Sequence, residues 1–231
     1  MSIYTEKDRL NTFLASLDDG RFLDRELERI RREAVAGNVP VIRPGMQNLL
    51  RTLLACMRPR RILEVGAGAG FSALWMAACA PPDCVLTTIE NYAKRIALAK
   101  ENFSTHPLGN RITLLEGDAQ EILPALCRGG DRFDFVFMDA AKGQYPVFLP
   151  YIKKLSRPGG MIITDNVLQE GDILSSRFAV SRRDRTIHHR MRAYLYSLTH
   201  DPDLVTSILD VGDGAAVTVK VGEIHGENQE T

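Results

Sequence analysis

A doubly wound α/β domain is the fold this sequence predicts: a mostly parallel sheet of seven strands with an antiparallel C-terminal hairpin, preceded by an N-terminal helical extension. Three observations carry that prediction. From residue 60 onward, short β-branched and apolar runs alternate with helical stretches, the order that gives right-handed βαβ units and a parallel sheet. The strand runs are nearly continuous in Ile, Val, Leu and Phe, as expected where helices cover both faces of a sheet. The last two β runs are joined by Gly212-Asp213-Gly214, which reads as a tight hairpin.

In chain order, residues 3–17 and 22–35 carry apolar residues three and four apart among many charges, so both read as amphipathic helices. Pro40 and Pro44 punctuate a loop, and the helical spacing resumes over 46–57. The strands are RRILEVG (60–66), CVLTTIE (84–90), RITLLEGD (111–118), FDFVFMDA (133–140), GGMIITDN (159–166), LVTSILDV (204–211) and AAVTVKV (215–221). Helices fall between them at 71–80, 92–103, 119–126 and 145–155, and an Arg-rich helix spans about 184–199. Trp75, Phe133 and Phe137 read as core.

With 45% hydrophobic and 25% charged residues, wholesale disorder and coiled-coil architectures are excluded. Lys and Arg number 29, as do Asp and Glu. Net charge therefore exerts no pull toward nucleic acid or membrane, and any such partner must be recognised by a local patch. Cys56, Cys79, Cys84 and Cys127 show no zinc-type spacing and are expected to be reduced thiols in a cytoplasm. The charged N-terminus lacks an apolar export segment, and no run approaches the ~20 apolar residues of a membrane span. The expected localisation is cytoplasmic, with no membrane partner.

Two constellations carry chemistry. Glu64-Val65-Gly66-Ala67-Gly68-Ala69-Gly70 follows one strand and precedes a helix, and Glu90 closes the next strand. Glycines there admit a close ligand, and an acid at the second strand end can accept both hydroxyls of a ribose. The pair points to an adenosine-containing cofactor. The spacing is GxGxG, not the dinucleotide GxGxxG, and Glu64 would repel a pyrophosphate but welcome the ammonium and sulfonium of S-adenosylmethionine (SAM). SAM is the cofactor read from these residues. Asp139 and Asp165-Asn166 end two further strands. Their hard oxygens suit Mg²⁺ or Ca²⁺, although Asp165-Asn166 reads equally well as a cap or turn. Lys142 would place an amine nearby, where a dication and burial would make it a general base; alone, it reads first as a surface charge.

The motifs EVGAGAGFS, TIE, GDAQ, FMDAAKGQY, ITDN and VGDG together resemble the metal-dependent class I O-methyltransferases, which include catechol and caffeoyl-CoA O-methyltransferases and their bacterial relatives. The resemblance covers roughly residues 38–221. It implies a Rossmann-like core at 59–221 behind N-terminal helices at 1–58, forming one domain over 1–221, with 222–231 as a flexible tail. It implies that Asp139, Asp165 and Asn166 hold Mg²⁺ or another divalent cation. Lys142, with Asp139, would be catalytic, and Ile42, Glu64, Gly66, Ser72, Glu90, Asp118, Ala119 and Asp139 would line the SAM pocket. A homodimer is the expected assembly.

The acceptor follows from departures within the family. Catechol enzymes have an aromatic wall before the lysine, whereas this chain has Ala140-Ala141, like the bacterial branch. RRDRTIHHRMRAYLYSL is similar to bacterial tRNA 5-hydroxyuridine methyltransferases, which act on the wobble base. That resemblance implies an anticodon arm bound by Arg182, Arg183, Arg185 and Arg190, and a product 5-methoxyuridine. His188 and His189 read as surface or tRNA-facing. The alternative acceptor is a small catechol, phenol or caffeoyl-CoA-like molecule. An NAD-linked oxidoreductase is disfavoured by GxGxG, and a non-catalytic nucleotide-binding module leaves the Asp139, Lys142, Asp165, Asn166 set without a purpose.

Overall fold

The computed structural model describes residues 6–17, 23–174, 181 and 185–222. Three helices come first: α1 (Glu6–Ser16), α2 (Arg25–Ala36) and α3 (Pro44–Met57). The α2 helix starts at Arg25 because Asp24 caps it, accepting from the Leu27 N–H at 2.8 Å. Pro44, expected in the loop, instead opens α3, where its missing N–H costs no intrahelical bond. The Rossmann-like core follows as β1 (Arg61–Val65), α4 (Phe71–Cys79), β2 (Val85–Glu90), α5 (Ala93–Thr105), β3 (Ile112–Glu116), α6 (Ala119–Gly129), β4 (Phe133–Met138), α7 (Tyr145–Leu155) and β5 (Ser156–Asp165). The chain closes with α8 (Arg185–His200), β6 (Leu204–Leu209) and β7 (Ala215–Lys220).

The seven strands form one sheet in the order β3-β2-β1-β4-β5-β7-β6. β7 runs antiparallel to both β5 and β6, and the other pairings are parallel. The continuous apolar runs have a direct cause: successive strand residues enter opposite layers. Leu63, Val65, Val136, Met138 and Ile162 pack toward Leu123, Phe148 and Ile152 of α6 and α7. Ile62, Phe135, Phe137 and Ile163 pack toward Leu27, Leu50, Leu54 and Trp75 of α2, α3 and α4. Trp75 is core, and its indole N–H donates to the Gln47 carbonyl at 3.1 Å, tying α4 to α3.

The expected C-terminal hairpin is present, but its connection is longer than the tight turn predicted. Residues 210–214 join β6 to β7, with Gly212 and Gly214 at φ 64° and 86° and Asp213 buried between them. None of the four cysteines is in a disulfide. Among the described residues, no helix is long and apolar enough to cross a membrane. The tail expected from residue 222 lies outside the described residues from 223 on.

Candidate active site

The C-terminal ends of β1 and β4 lie side by side, with Val65 opposite Met138 and the Asp139 N–H donating to the Val65 carbonyl at 3.0 Å. Strand order reverses between these two strands, which is where open α/β sheets bind ligands. A cavity of about 540 Å³ opens there, inside the roughly 300–1,000 Å³ range of small-molecule sites. Ile42, Gly66, Ser72, Glu90, Asp118, Ala119 and Asp139 line it, as do Lys142 and Asn166. Glu64 and Asp165 are not on its wall; they are buried behind it.

The glycine turn is held from the neighbouring strand. Glu90 accepts the Gly68 N–H on Oε2 at 2.9 Å and the Asn91 and Tyr92 N–H groups on Oε1 at 3.0 Å each. Each carboxylate oxygen has two lone pairs, so these three bonds orient Glu90 and leave one accepting position, on Oε2, for a ribose hydroxyl. Asp118 caps α6 through the Gln120 N–H at 2.8 Å. Glu64 is fully buried in β1; the Thr88 hydroxyl donates to its Oε2, while Oε1 has no well-aligned partner. Burial pushes its pKa to about 7, against the opposing pull of the Ser72 and Thr88 hydroxyls. A buried carboxylate with one under-satisfied oxygen, behind a glycine-rich turn, fits a cationic adenosyl cofactor: positive charge in the cavity would offset the charge that burial disfavours.

The second acid group sits at the other end of the cavity wall. Burial raises the pKa of Asp139, opposed by the Asn166 amide, Lys142 and Arg95. Asp165 is pushed to about 7, first by burial and then by the charge of Asp139. Asn166 takes φ 61°, a left-handed conformation that Asn tolerates better than most residues. Its N–H donates to Asp165 Oδ1 at 2.7 Å and its Nδ2 to Asp139 Oδ1 at 3.2 Å. The buried Tyr145 hydroxyl holds the Asp165 carbonyl at 3.2 Å. Among the described residues, no three His, Cys, Asp or Glu side chains gather as a metal site; the candidate donors are two carboxylates and one amide. They fit a hard dication, since a cation would relieve the repulsion Asp165 feels from Asp139. The Asn166 amide would then face it with oxygen, not nitrogen.

For Lys142 the sequence leaves two readings, a buried base and a surface charge. Its side chain is 34% exposed, in a short 3-10 turn on the cavity wall, and donates to Asp213 Oδ2 at 3.1 Å. Sequence reasoning missed Asp213 as its partner. The expected tRNA-facing set is described only in part. Arg182 and Arg183 lie outside the described residues, and Arg185 is partly buried at the start of α8. Arg190 donates to the Gly143 carbonyl at 3.0 Å, so it holds the turn that carries Lys142, and Arg192 holds the Ile173 carbonyl at 2.9 Å. His189 is exposed as expected, but His188 is 2% exposed; the helical phase places it with Met191, Tyr194 and Leu198 on the buried face of α8.

A family model described as O-methyltransferase matches residues 5–221. The chain belongs to the O-methyltransferase family. Within that family it is 35% identical over 134 residues to a protein named catechol O-methyltransferase from Niastella koreensis, covering 58% of this chain and 61% of that one. A protein of the same name from Mycobacterium tuberculosis is 33% identical over 142 residues, covering 61% and 64%. The chain thus spans under two thirds of the length of these two relatives. An O-methyltransferase from Streptomyces achromogenes involved in tomaymycin synthesis, solved in complex with SAM, superposes with a TM-score of 0.81 at 27% identity. It covers 95% of this chain and all of its own. For this O-methyltransferase family member, the fold is the one expected of the family.

The two acids at about 7 give the family member a testable pH response. Glu64 and Asp165 are raised from 4.5 and 3.8. A carboxylate raised on folding stabilises fully below its unfolded pKa, and that contribution is lost as pH rises through the folded value. Glu28, held down to about 2, has the opposite sign but acts at lower pH. The ligand-free protein should therefore melt at a lower temperature at pH 8 than at pH 5. SAM with Mg²⁺ should shrink the difference. Calorimetry across that range checks this, and a melting temperature that rises with pH contradicts it.

Proposed function

We propose that the protein is a SAM-dependent O-methyltransferase that uses Mg²⁺ or another divalent cation to methylate a hydroxyl lying beside a second oxygen. In this reading the acceptor is the 5-hydroxyuridine at the tRNA wobble position, which becomes 5-methoxyuridine. The observation that carries the reading is that one cavity is lined both by the glycine turn with Glu90 and by Asp139, Lys142 and Asn166. A methyl donor seated at one end would face an acceptor at the other. When bound, SAM would supply the methyl group and the cation, held by Asp139, Asp165 and Asn166, would acidify the acceptor hydroxyl. Glu90 would hold the ribose, and Glu64 would balance the donor's positive charge. Lys142, in the neutral form that a neighbouring dication would favour after it gives up a proton to solvent, would receive the hydroxyl proton, leaving the oxygen to displace the sulfur in line.

A 5-hydroxyuracil presents its hydroxyl beside the 4-oxo group, the same chelating geometry a catechol offers. Extruding such a base from an unpaired anticodon loop costs little. Ala140 and Ala141 leave the wall before Lys142 without an aromatic ring, which favours the tRNA reading. The names of the two catechol relatives favour the second reading, a small catecholic or phenolic acceptor. In the expected homodimer, a second copy would cover the exposed apolar stripe of Leu10, Phe13 and Leu14 on α1 and Leu17 just after it.

Affinity for tRNA should fall steeply with salt. Replacing Arg182, Arg183 and Arg185 should flatten the log–log slope by roughly 0.7–0.9 per lost phosphate contact, without changing methylation of free catechol. Arg190 is left intact in that variant because it holds the turn of Lys142. Mass spectrometry of the product, with 5-hydroxyuridine tRNA and catechol as competing acceptors, decides between the two. A wild-type protein inert toward the tRNA but active on catechol moves the function to the small molecule.

A further inference from the structure

Lys142 is the one cation whose place on the cavity wall the proposed reaction uses, yet it is carried on a short turn and is one third exposed. A lysine side chain is a flexible four-carbon stem that gives up much of its rotamer freedom when it is held. Something must aim it, and the structure offers a built partner. Asp213 is 71 residues away in sequence and only 6% exposed, with its Oδ2 at 3.1 Å from the Lys142 Nζ.

The turn that carries Asp213 is itself fixed against the end of β5. The Leu168 N–H donates to the Asp213 carbonyl at 2.9 Å, and the Val167 N–H to the Gly214 carbonyl at 3.1 Å. Gly214, at φ 86°, admits this approach because it has no Cβ: one built there would lie 2.3 Å from Leu168 Cγ and 2.8 Å from the Leu168 nitrogen. Val167 and Leu168 directly follow Asp165-Asn166. The carboxylate that meets the lysine is thus tied to the strand end that carries two of the candidate metal donors. On the other side, Arg190 pins the Gly143 carbonyl, next to Lys142 in the chain. The backbone under the lysine is held by α8 and its amine by the β6–β7 connection.

We infer that Asp213 is a positioning residue: it fixes the Lys142 amine at the cavity wall in register with Asp139 and Asn166. This inference rests on the reading of Lys142 as the group that receives the acceptor's proton. In the free protein a charge-assisted contact to a buried, fixed carboxylate restricts the ammonium to one position, and the neutral amine can still donate to the same oxygen. A misplacement of about 1 Å at such a site can cost ~10²-fold in rate.

The test is a double-mutant cycle on Lys142→Ala and Asp213→Ala. It uses turnover with Mg²⁺ on 5-hydroxyuridine tRNA and on catechol, together with proton–nitrogen correlation spectra of the lysine ammonium groups in the free protein. Asp213→Ala is expected to lower kcat by about 10–10²-fold, leave SAM affinity by calorimetry unchanged, and add little to Lys142→Ala. The ammonium signal that Lys142→Ala removes should also disappear in Asp213→Ala. Asp213→Asn keeps an oxygen acceptor without the charge, so it should recover part of kcat, and it serves if the alanine variant folds poorly. Additive losses with the Lys142 ammonium signal intact would overturn the inference. So would a raised Mg²⁺ requirement that persists in the Lys142→Ala background, which would make Asp213 a partner of the metal. If the wild-type protein methylates neither acceptor, the reading of the reaction falls, and the ammonium spectra still decide whether Asp213 holds Lys142.

Discussion

Gly66→Ala is expected to abolish SAM binding and to destabilise the protein by roughly 2–6 kcal/mol, combining about 1–3 for a strained backbone conformation with about 1–3 for overpacking. Gly66 has φ 105°, and a Cβ built on it would lie 2.0 Å from the Asp139 carbonyl oxygen and 2.9 Å from its carbonyl carbon. Those are backbone atoms of a strand end, and the Asp139 N–H is already bonded to Val65. Relief would require moving β4 away from β1, which displaces Asp139 from the cavity wall. Gly130→Ala is the control: its φ is 77°, but a Cβ there meets nothing within 4 Å, so it should bind SAM normally. Chemical denaturation and SAM calorimetry on both variants make the comparison. A Gly66→Ala protein that binds SAM as the wild type does would remove the glycine turn from the cofactor site.

Asp165→Asn should move activity and stability in opposite directions. The side chain is 5% exposed, and burial with the nearby charge of Asp139 pushes its pKa from 3.8 to about 7. Above that pH the fold carries an ionised group that burial disfavours. At ~1.36 kcal/mol per pKa unit, relieving it is worth roughly 4 kcal/mol at most. The amide keeps an oxygen to accept the Asn166 N–H. At pH 8, without ligands, Asp165→Asn should therefore melt at a higher temperature than wild type. Its turnover should fall by about 10³-fold or more, because a hard cation loses an anionic ligand and its stabilisation of developing charge is worth several kcal/mol. A variant that gains stability and keeps its turnover would show that Asp165 does not serve the reaction.

The sheet was legible in the sequence because its physics is local. Strands buried on both faces must be apolar at every position, and Ile62-Leu63 or Phe137-Met138 show why, each pair dividing between two layers. The cofactor end was legible for a related reason: a glycine turn and an acid at the next strand end have a fixed spacing. The contacts that link distant segments were not. The pairing of Lys142 with Asp213 depends on β7 inserting between β5 and β6, which no local pattern encodes, although the glycines flanking Asp213 marked it as a special turn. Arg190 also makes a contact that composition cannot reveal, to a carbonyl 47 residues upstream. His188 was misread for a different reason. Its spacing from Met191 and Leu198 carried the buried phase of α8, and the surrounding arginines drew attention to charge instead.

The central claim is that this cavity performs cation-assisted methyl transfer from SAM to an oxygen. It is tested most directly by following the labelled methyl of SAM into 5-hydroxyuridine tRNA and catechol, with the protein first stripped by EDTA and then resupplied with Mg²⁺. The account predicts label on an acceptor oxygen with Mg²⁺, only background in EDTA, and recovery when Mg²⁺ is returned in excess. Equal transfer with and without EDTA, or no transfer to either acceptor under any condition, would contradict it.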